Sequence, residues 1–349
     1  MAAVGNELFV IVLALGCSAI LWWGCVRLQR ADRQIIASVP IRQTVPGLWA
    51  GLNLTYYGLI LATAQCVAVT LFCILMGSFG YPLWMIGLPA GLMLVICVPA
   101  SKIIARLVEK KKDTFTVGGA SFVGFVVSPF IVSGINASGF VSIPVLPFLA
   151  ALAVSYAIGE GIGRLGCISF GCCYGKPLGM CHPTVAWLFR RFHFTFSGQL
   201  KKAAYEGGLD DVPLVPVQAI TSAIYCIAGL LSTYLFLNGH YRLSFLTAVL
   251  ITQLWRFASE FLRSDHRGGG RLSIYQLMSV AMIAYSLFIV SFFHSATVLP
   301  QPVVLGLKNV ATLPFFIAIE MLWAMMFFFV GKSRVTGSDI LLYVRKDRI

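Results

Sequence analysis

The chain has 349 residues, of which 58% are hydrophobic and 11% charged, with a net charge of +13. Soluble domains carry roughly 25% charged residues, so a water-soluble globular protein is excluded. The composition indicates a polytopic membrane protein, and no nucleic-acid partner is expected.

Apolar runs long enough to cross about 30 Å of hydrocarbon fall at 7–26, 56–78, 82–100, 117–135, 141–162, 216–238, 243–262, 272–295 and 311–331. The expected fold class is an all-α polytopic membrane protein of about nine transmembrane helices. β-barrel strands would alternate over about ten residues, and these runs do not. No Lys or Arg precedes Arg27, so the first run is read as a permanent anchor rather than a secretory signal. Residues 27–55 are expected to form a basic loop. The run at 117 is the weakest helix, because it opens on Gly118-Gly119. The one sizeable polar insertion is 171–215, and the chain closes on a basic tail. Cys17, Cys25, Cys66, Cys73, Cys97 and Cys226 lie within apolar runs and read as small hydrophobes.

Basic residues gather at 27–42 (Arg27, Arg30, Arg33, Arg42) and 102–112, again in 171–215 and 263–271, and in the tail. With nine spans, all of these regions share one face. Lys and Arg in short loops favour the cytoplasmic side, which on charge alone places that face inside. A face that gathers anionic phospholipid head groups would also be basic.

Two polar clusters meet the membrane boundary on that face. In "GEGIGRLG", Glu160 and Arg164 stand at i,i+4, one helical turn apart. They form an internal pair or part of a site, and charge within a span is a functional hypothesis by default. In "QLWRFASEFLRSDHRGGG", Arg256, Glu260 and Arg263 follow i, i+4, i+7, which predicts one helical stripe. Gly268, Gly269 and Gly270 then free the backbone for a turn. Arg164 and Arg256 are left to hold a phosphate bidentately. Glycines at 159, 161, 163 and 166 lack the preceding strand that a dinucleotide motif requires, so they are read as close helix contacts. Cys167, Cys172, Cys173, Cys181 and His182 are metal-ligand types, but their spacing matches no usual C-x2-C pair. Neither a metal nor a cofactor is expected.

These patches, in order, resemble the bacterial prolipoprotein diacylglyceryl transferases. "GGASFVG" at 118–124 is similar to the family's Gly-Gly segment. "GRLGCISFGCCYG" at 163–175 resembles its signature, and "VPVQ" at 215–218 its His-Pro-x-Gln. "WRFASEFLRSDHRG" with "LSIYQLMS" resembles its Arg-Phe-x-x-Glu-Phe-x-Arg and Leu-Ser-x-x-Gln-x-x-Ser stretch. The resemblance implies a seven-helix core at 56–295, with additions at 1–55 and 296–349. It implies transfer of a diacylglyceryl group from phosphatidylglycerol to a lipobox cysteine thiol, in the bacterial inner membrane and on its outer face. Arg164, Arg256 and Glu260 would be catalytic. Gly118, Gly119, Gly163, Gly166, Cys167, Gln218, Arg263 and Gln276 would line the substrate. Val117 and Val215 stand where the family has histidines. The base or thiol role therefore falls to Glu160, Cys172, Cys173, His182 or His266. Two alternatives remain: the same fold acting on another lipid or small-molecule acceptor, and a non-catalytic lipid-binding protein or transporter. Paired repeats of the kind transporters show are absent from the sequence.

Overall fold

The computed structural model describes residues 2–108, 117–139, 141–265, 272–293 and 302–349. Among them, every expected long helix is present: α1 Ala2–Arg27, α2 Tyr56–Gly77, α3 Leu83–Val108, α4 Val117–Ala137 and α5 Val145–Phe170. The insertion holds two short helices, α6 Pro183–Phe189 and α7 Lys202–Tyr205. After it come α8 Val217–Leu237, α9 Tyr241–Ser259, α10 Ile274–Phe292, the short α11 Val303–Val310, and α12 Leu313–Val330. Eight of these are long and apolar enough to cross a membrane. The exception among the long helices is α9, whose Arg242, Gln253 and Arg256 lower its apolarity at membrane-spanning length.

Helix α5 is the centre of the bundle, packed between α2 and α8 with α9 alongside. Its spanning window is 72% buried, against 11% for α1 and 6% for α12, so the two terminal helices stand at the rim. The core runs through Phe148, Leu149 and Val154 of α5 to Leu75 of α2 and Phe245 of α9.

Two expectations are corrected. Residues 27–55 and the tail are not simple basic loops. Strands β1 Ile35–Val45, β2 Leu48–Thr55 and β3 Lys332–Leu341 form an antiparallel sheet in the order β1-β2-β3. β1 is rich in Ile and Val, which favour strands, and the hairpin turns on Gly47 at φ +84. β2 pairs with β3 from Leu48↔Leu341 to Leu54↔Lys332. Asn53, fully buried, joins the three strands through Ser38 Oγ at 2.6 Å, Ser338 Oγ at 2.7 Å and Thr336 Oγ1 at 3.2 Å.

The second correction concerns helix ends. α5 runs to Phe170 rather than stopping near 162, and α9 stops at Ser259 rather than 262. The segments at the basic end meet one another directly. Gln34 Nε2 donates to Leu200 O at 2.7 Å, Lys201 Nζ to Leu28 O at 3.1 Å, and Gly175 bridges to Arg263.

Candidate active site

The glycines of α5 let its neighbours approach. A Cβ on Gly159 would fall 2.7 Å from Ala68 Cβ, one on Gly161 2.8 Å from Cys226 Sγ, and one on Gly166 2.9 Å from Leu61 Cδ1. Contacts under 3.0 Å cannot be kept, so these glycines seat α2 and α8 against α5, as the small-residue reading predicts. Gly163 is looser, with Ala64 Cβ at 3.8 Å. On the same helix Glu160 and Arg164 form an ion pair, their side chains 10% and 14% exposed. Arg164 also donates through Nη1 to Cys173 Sγ at 3.7 Å, while its buried Nε makes no hydrogen bond.

Arg256 reaches the same region from the last turn of α9. Its guanidinium lies over the Tyr275 ring, 5.2 Å from the centroid, and enters a narrow cleft bounded by Gly118, Ser121, Phe125, Gln253 and Met282. A Cβ on Gly118 would stand 1.9 Å from Arg256 Nη2. The absence of a side chain at 118 therefore leaves room for the guanidinium in its present position. Gly119 serves packing instead, facing Ile104 at 2.8 Å. Arg164, Arg256 and Glu160 lie within electrostatic reach of one another around Tyr156 and Tyr225, whose rings are 6.1 Å apart. The Tyr156 hydroxyl is buried beside Ser121. Two guanidiniums and one carboxylate leave one excess positive charge in a poorly solvated place, which favours an anionic partner.

The expected stripe of Arg256, Glu260 and Arg263 does not form. Glu260–Leu262 is a single 3-10 turn, and Arg263 has extended backbone at φ −91, ψ 153. Pairing with the insertion stops the helix: Lys176 N donates to Leu262 O at 2.9 Å and Ser264 N to Tyr174 O at 3.1 Å. Arg263 forks onto Asp265 at 2.8 and 3.0 Å. Its pKa is raised above the ordinary value by the neighbouring Cys173 and Asp265, against the opposing pull of burial.

Gln218, in the first turn of α8, donates through Nε2 to Cys172 O at 2.9 Å. Its Oε1 is buried without a partner. Gln276 is committed to structure: it closes a capping box with Ser273 and donates to Phe257 O at 3.3 Å. Cys167, Cys172 and Cys173 bring their sulfurs within 4.8 Å of one another. The Cys172 thiol is pushed well above its usual pKa by hydrogen bonding with Cys167 and Cys173 and then by burial. His182 is exposed on the insertion beside Thr184 Oγ1 at 2.9 Å. His266, Gly268, Gly269 and Gly270 lie outside the described residues.

Sequence reasoning missed Tyr156, one turn before Glu160 on the same helix face, although that spacing was available. It also missed Lys201, which is fully buried and donates to Ser169 O at 2.6 Å and Leu28 O at 3.1 Å. A lone lysine in a polar insertion carries no sequence signal for burial.

A family model described as prolipoprotein diacylglyceryl transferase matches residues 46–292. A phosphatidylglycerol--prolipoprotein diacylglyceryl transferase of Clostridium tetani is 30% identical over 147 residues, covering 42% of this chain and 53% of that protein. The corresponding transferase 2 of Clostridium perfringens is 29% identical over 170 residues, 46% of this chain and 59% of that protein. The matched stretch thus spans a little over half the length of these curated relatives.

Proposed function

The chain belongs to the prolipoprotein diacylglyceryl transferase family, and from that premise we propose that it transfers a diacylglyceryl group from phosphatidylglycerol to a prolipoprotein cysteine. The supporting observation is the arrival of Arg164 and Arg256, from separate helices, around one buried pair of tyrosines. The phospholipid phosphate sits between the two guanidiniums, and its acyl chains follow the apolar wall of Phe125 and Met282. The acceptor sulfur attacks the glyceryl carbon that carries the phosphate ester. A carbon–sulfur bond forms, the carbon–oxygen bond breaks, and glycerol phosphate leaves with the electron pair. Paired guanidiniums stabilise the charge as it grows on the departing oxygen. Glu160, beside both arginines, takes the thiol proton in this reading. Gly118 and Gln218 position Arg256 and the Cys172 loop. The matched residues 46–292 carry the reaction, and the rim helices α1 and α12 are additions to it.

The test uses proteoliposomes containing phosphatidylglycerol and a lipobox peptide. Arg164→Ala and Arg256→Ala should each lower transfer by about 100-fold or more at normal expression. Transfer within about threefold of wild type in both would overturn the proposal.

A second reading keeps the fold but uses another acceptor at the cytoplasmic face. It is favoured by the basic residues crowding the site-bearing end and by Val117 and Val215 in place of histidines. An epitope inserted at the exposed Gly207-Gly208 turn separates the two. Under the first reading, intact spheroplasts bind the antibody. Binding only after permeabilisation would favour the second, and lipid profiling of a deletion strain would then identify the product.

A further inference from the structure

We infer that Cys167, Cys172 and Cys173 form a three-thiolate site for a soft d10 cation, Zn2+ or Cu+, at the C-terminal end of α5. Spacing alone gave no such expectation, since these cysteines stand at i, i+5 and i+6. The fold supplies the convergence. α5 ends in a left-handed Gly171 at φ +71, and the Cys172 N–H turns back to Cys167 O at 3.1 Å. Cys173 then adopts φ +57, a left-handed conformation that non-glycine residues rarely take. That left-handed turn brings the third sulfur to the other two, within 4.8 Å. Sulfurs bound to one zinc ion at about 2.3 Å stand roughly 3.8 Å apart, so side-chain adjustments of about 1 Å complete the geometry.

Cationic groups stand around the three sulfurs. Three thiolates with a divalent cation carry one net negative charge, and with a monovalent cation two. Arg164 Nη1 already lies 3.7 Å from Cys173 Sγ. Arg263 is within electrostatic reach of Cys173, and Lys202 of Cys172 and Cys173. Such outer partners orient metal ligands and tune their basicity. Gln218, 1% exposed, holds the Cys172 carbonyl through Nε2 while its Oε1 has no partner. That oxygen is a fourth donor for zinc or a hydrogen-bond acceptor for a zinc-bound water, whereas trigonal Cu+ needs none. Binding exchanges three S–H bonds for three metal–sulfur bonds and releases three protons to solvent. Metal uptake is read directly, so its outcome does not depend on whether the transfer reaction is the one proposed above.

The full chain, purified in detergent and kept reduced and metal-free, is titrated with Co2+, with Zn2+ in competition, and anaerobically with Cu+. The expected result is about one metal per chain, an intense sulfur-to-cobalt charge-transfer band, and protection of three of the ten cysteine thiols from a thiol reagent. Saturation by Zn2+ or by Cu+ tells which ion the site prefers. Cys172→Ser and Cys173→Ser should weaken binding by about 100-fold, while Cys25→Ser and Cys97→Ser should leave it intact. Wild-type protein that takes up less than about 0.2 equivalents of every ion at micromolar concentration would overturn the inference. So would a charge-transfer band that survives in the Cys172→Ser/Cys173→Ser double variant.

Discussion

Gly118 controls an arginine it does not bond. With Arg256 Nη2 only 1.9 Å from where its Cβ would be, Gly118→Ala must push the guanidinium out of the cleft. Lipid transfer should fall by about 10-fold to 100-fold, with the chain still folded. Gly119→Ala should instead disturb packing against Ile104 and lower thermal stability. Transfer by Gly118→Ala at the wild-type rate would show that Arg256 does not work from this position. Lys201 gives a prediction of another kind. Burial holds its pKa down at about 8, from an ordinary 10.5. Between these values the unfolded chain binds the proton and the folded chain does not, so stability rises with pH across the window. The melting temperature of wild type relative to Lys201→Met should therefore climb from pH 8 to about 10, and a flat difference would refute the assignment. At this scale the sequence was readable wherever charge met an apolar run, which singled out Arg164, Glu160 and Arg256. The roles of Gly118 and Lys201 were not readable, because each depends on a contact with a distant part of the chain.

Among the elements, the helices were legible from the length of their apolar runs and the sheet was not. Residues 27–55 drew attention for their arginines, which hid the β-branched content of "IIASVPIRQTV". The partner of β2 comes from the far end of the chain, and no local pattern announces a pairing of that range. The end of α9 was misjudged for a related reason: the helical spacing of Arg256, Glu260 and Arg263 is real, but backbone bonds joining Leu262 and Ser264 to Lys176 and Tyr174 outcompete another turn. Asn53 is the test of the sheet. Its amide links three strands with its side chain fully buried, so Asn53→Ala strands several hydroxyls and should cost about 1–3 kcal/mol. Limited proteolysis should cut such a variant faster within 35–55. Unchanged cleavage there would mean the sheet does not depend on this network.

The whole molecule has a central helix, a rim, and one basic end. Counting spans puts the basic segments at one end, and the contacts of Gln34, Lys201 and Gly175 join three of them directly. A surface of that sign collects anionic lipid, and salt weakens the attraction. Lipids carried through purification should therefore be enriched in anionic head groups over the membrane average, and less so at high salt. Retention in proportion to the membrane would argue that the charge serves orientation alone.

The pairing of Leu48 with Leu341 also sets a schedule for biogenesis. A ribosome releases β1 and β2 long before β3 exists, so the hairpin must wait with one edge bare while the rest of the bundle is threaded into the bilayer. Only when α12 has been inserted and the strand behind it emerges can that edge be sealed. Closure of the sheet is thus a late event, and a chain whose synthesis stops early is left with the β2 edge unpaired.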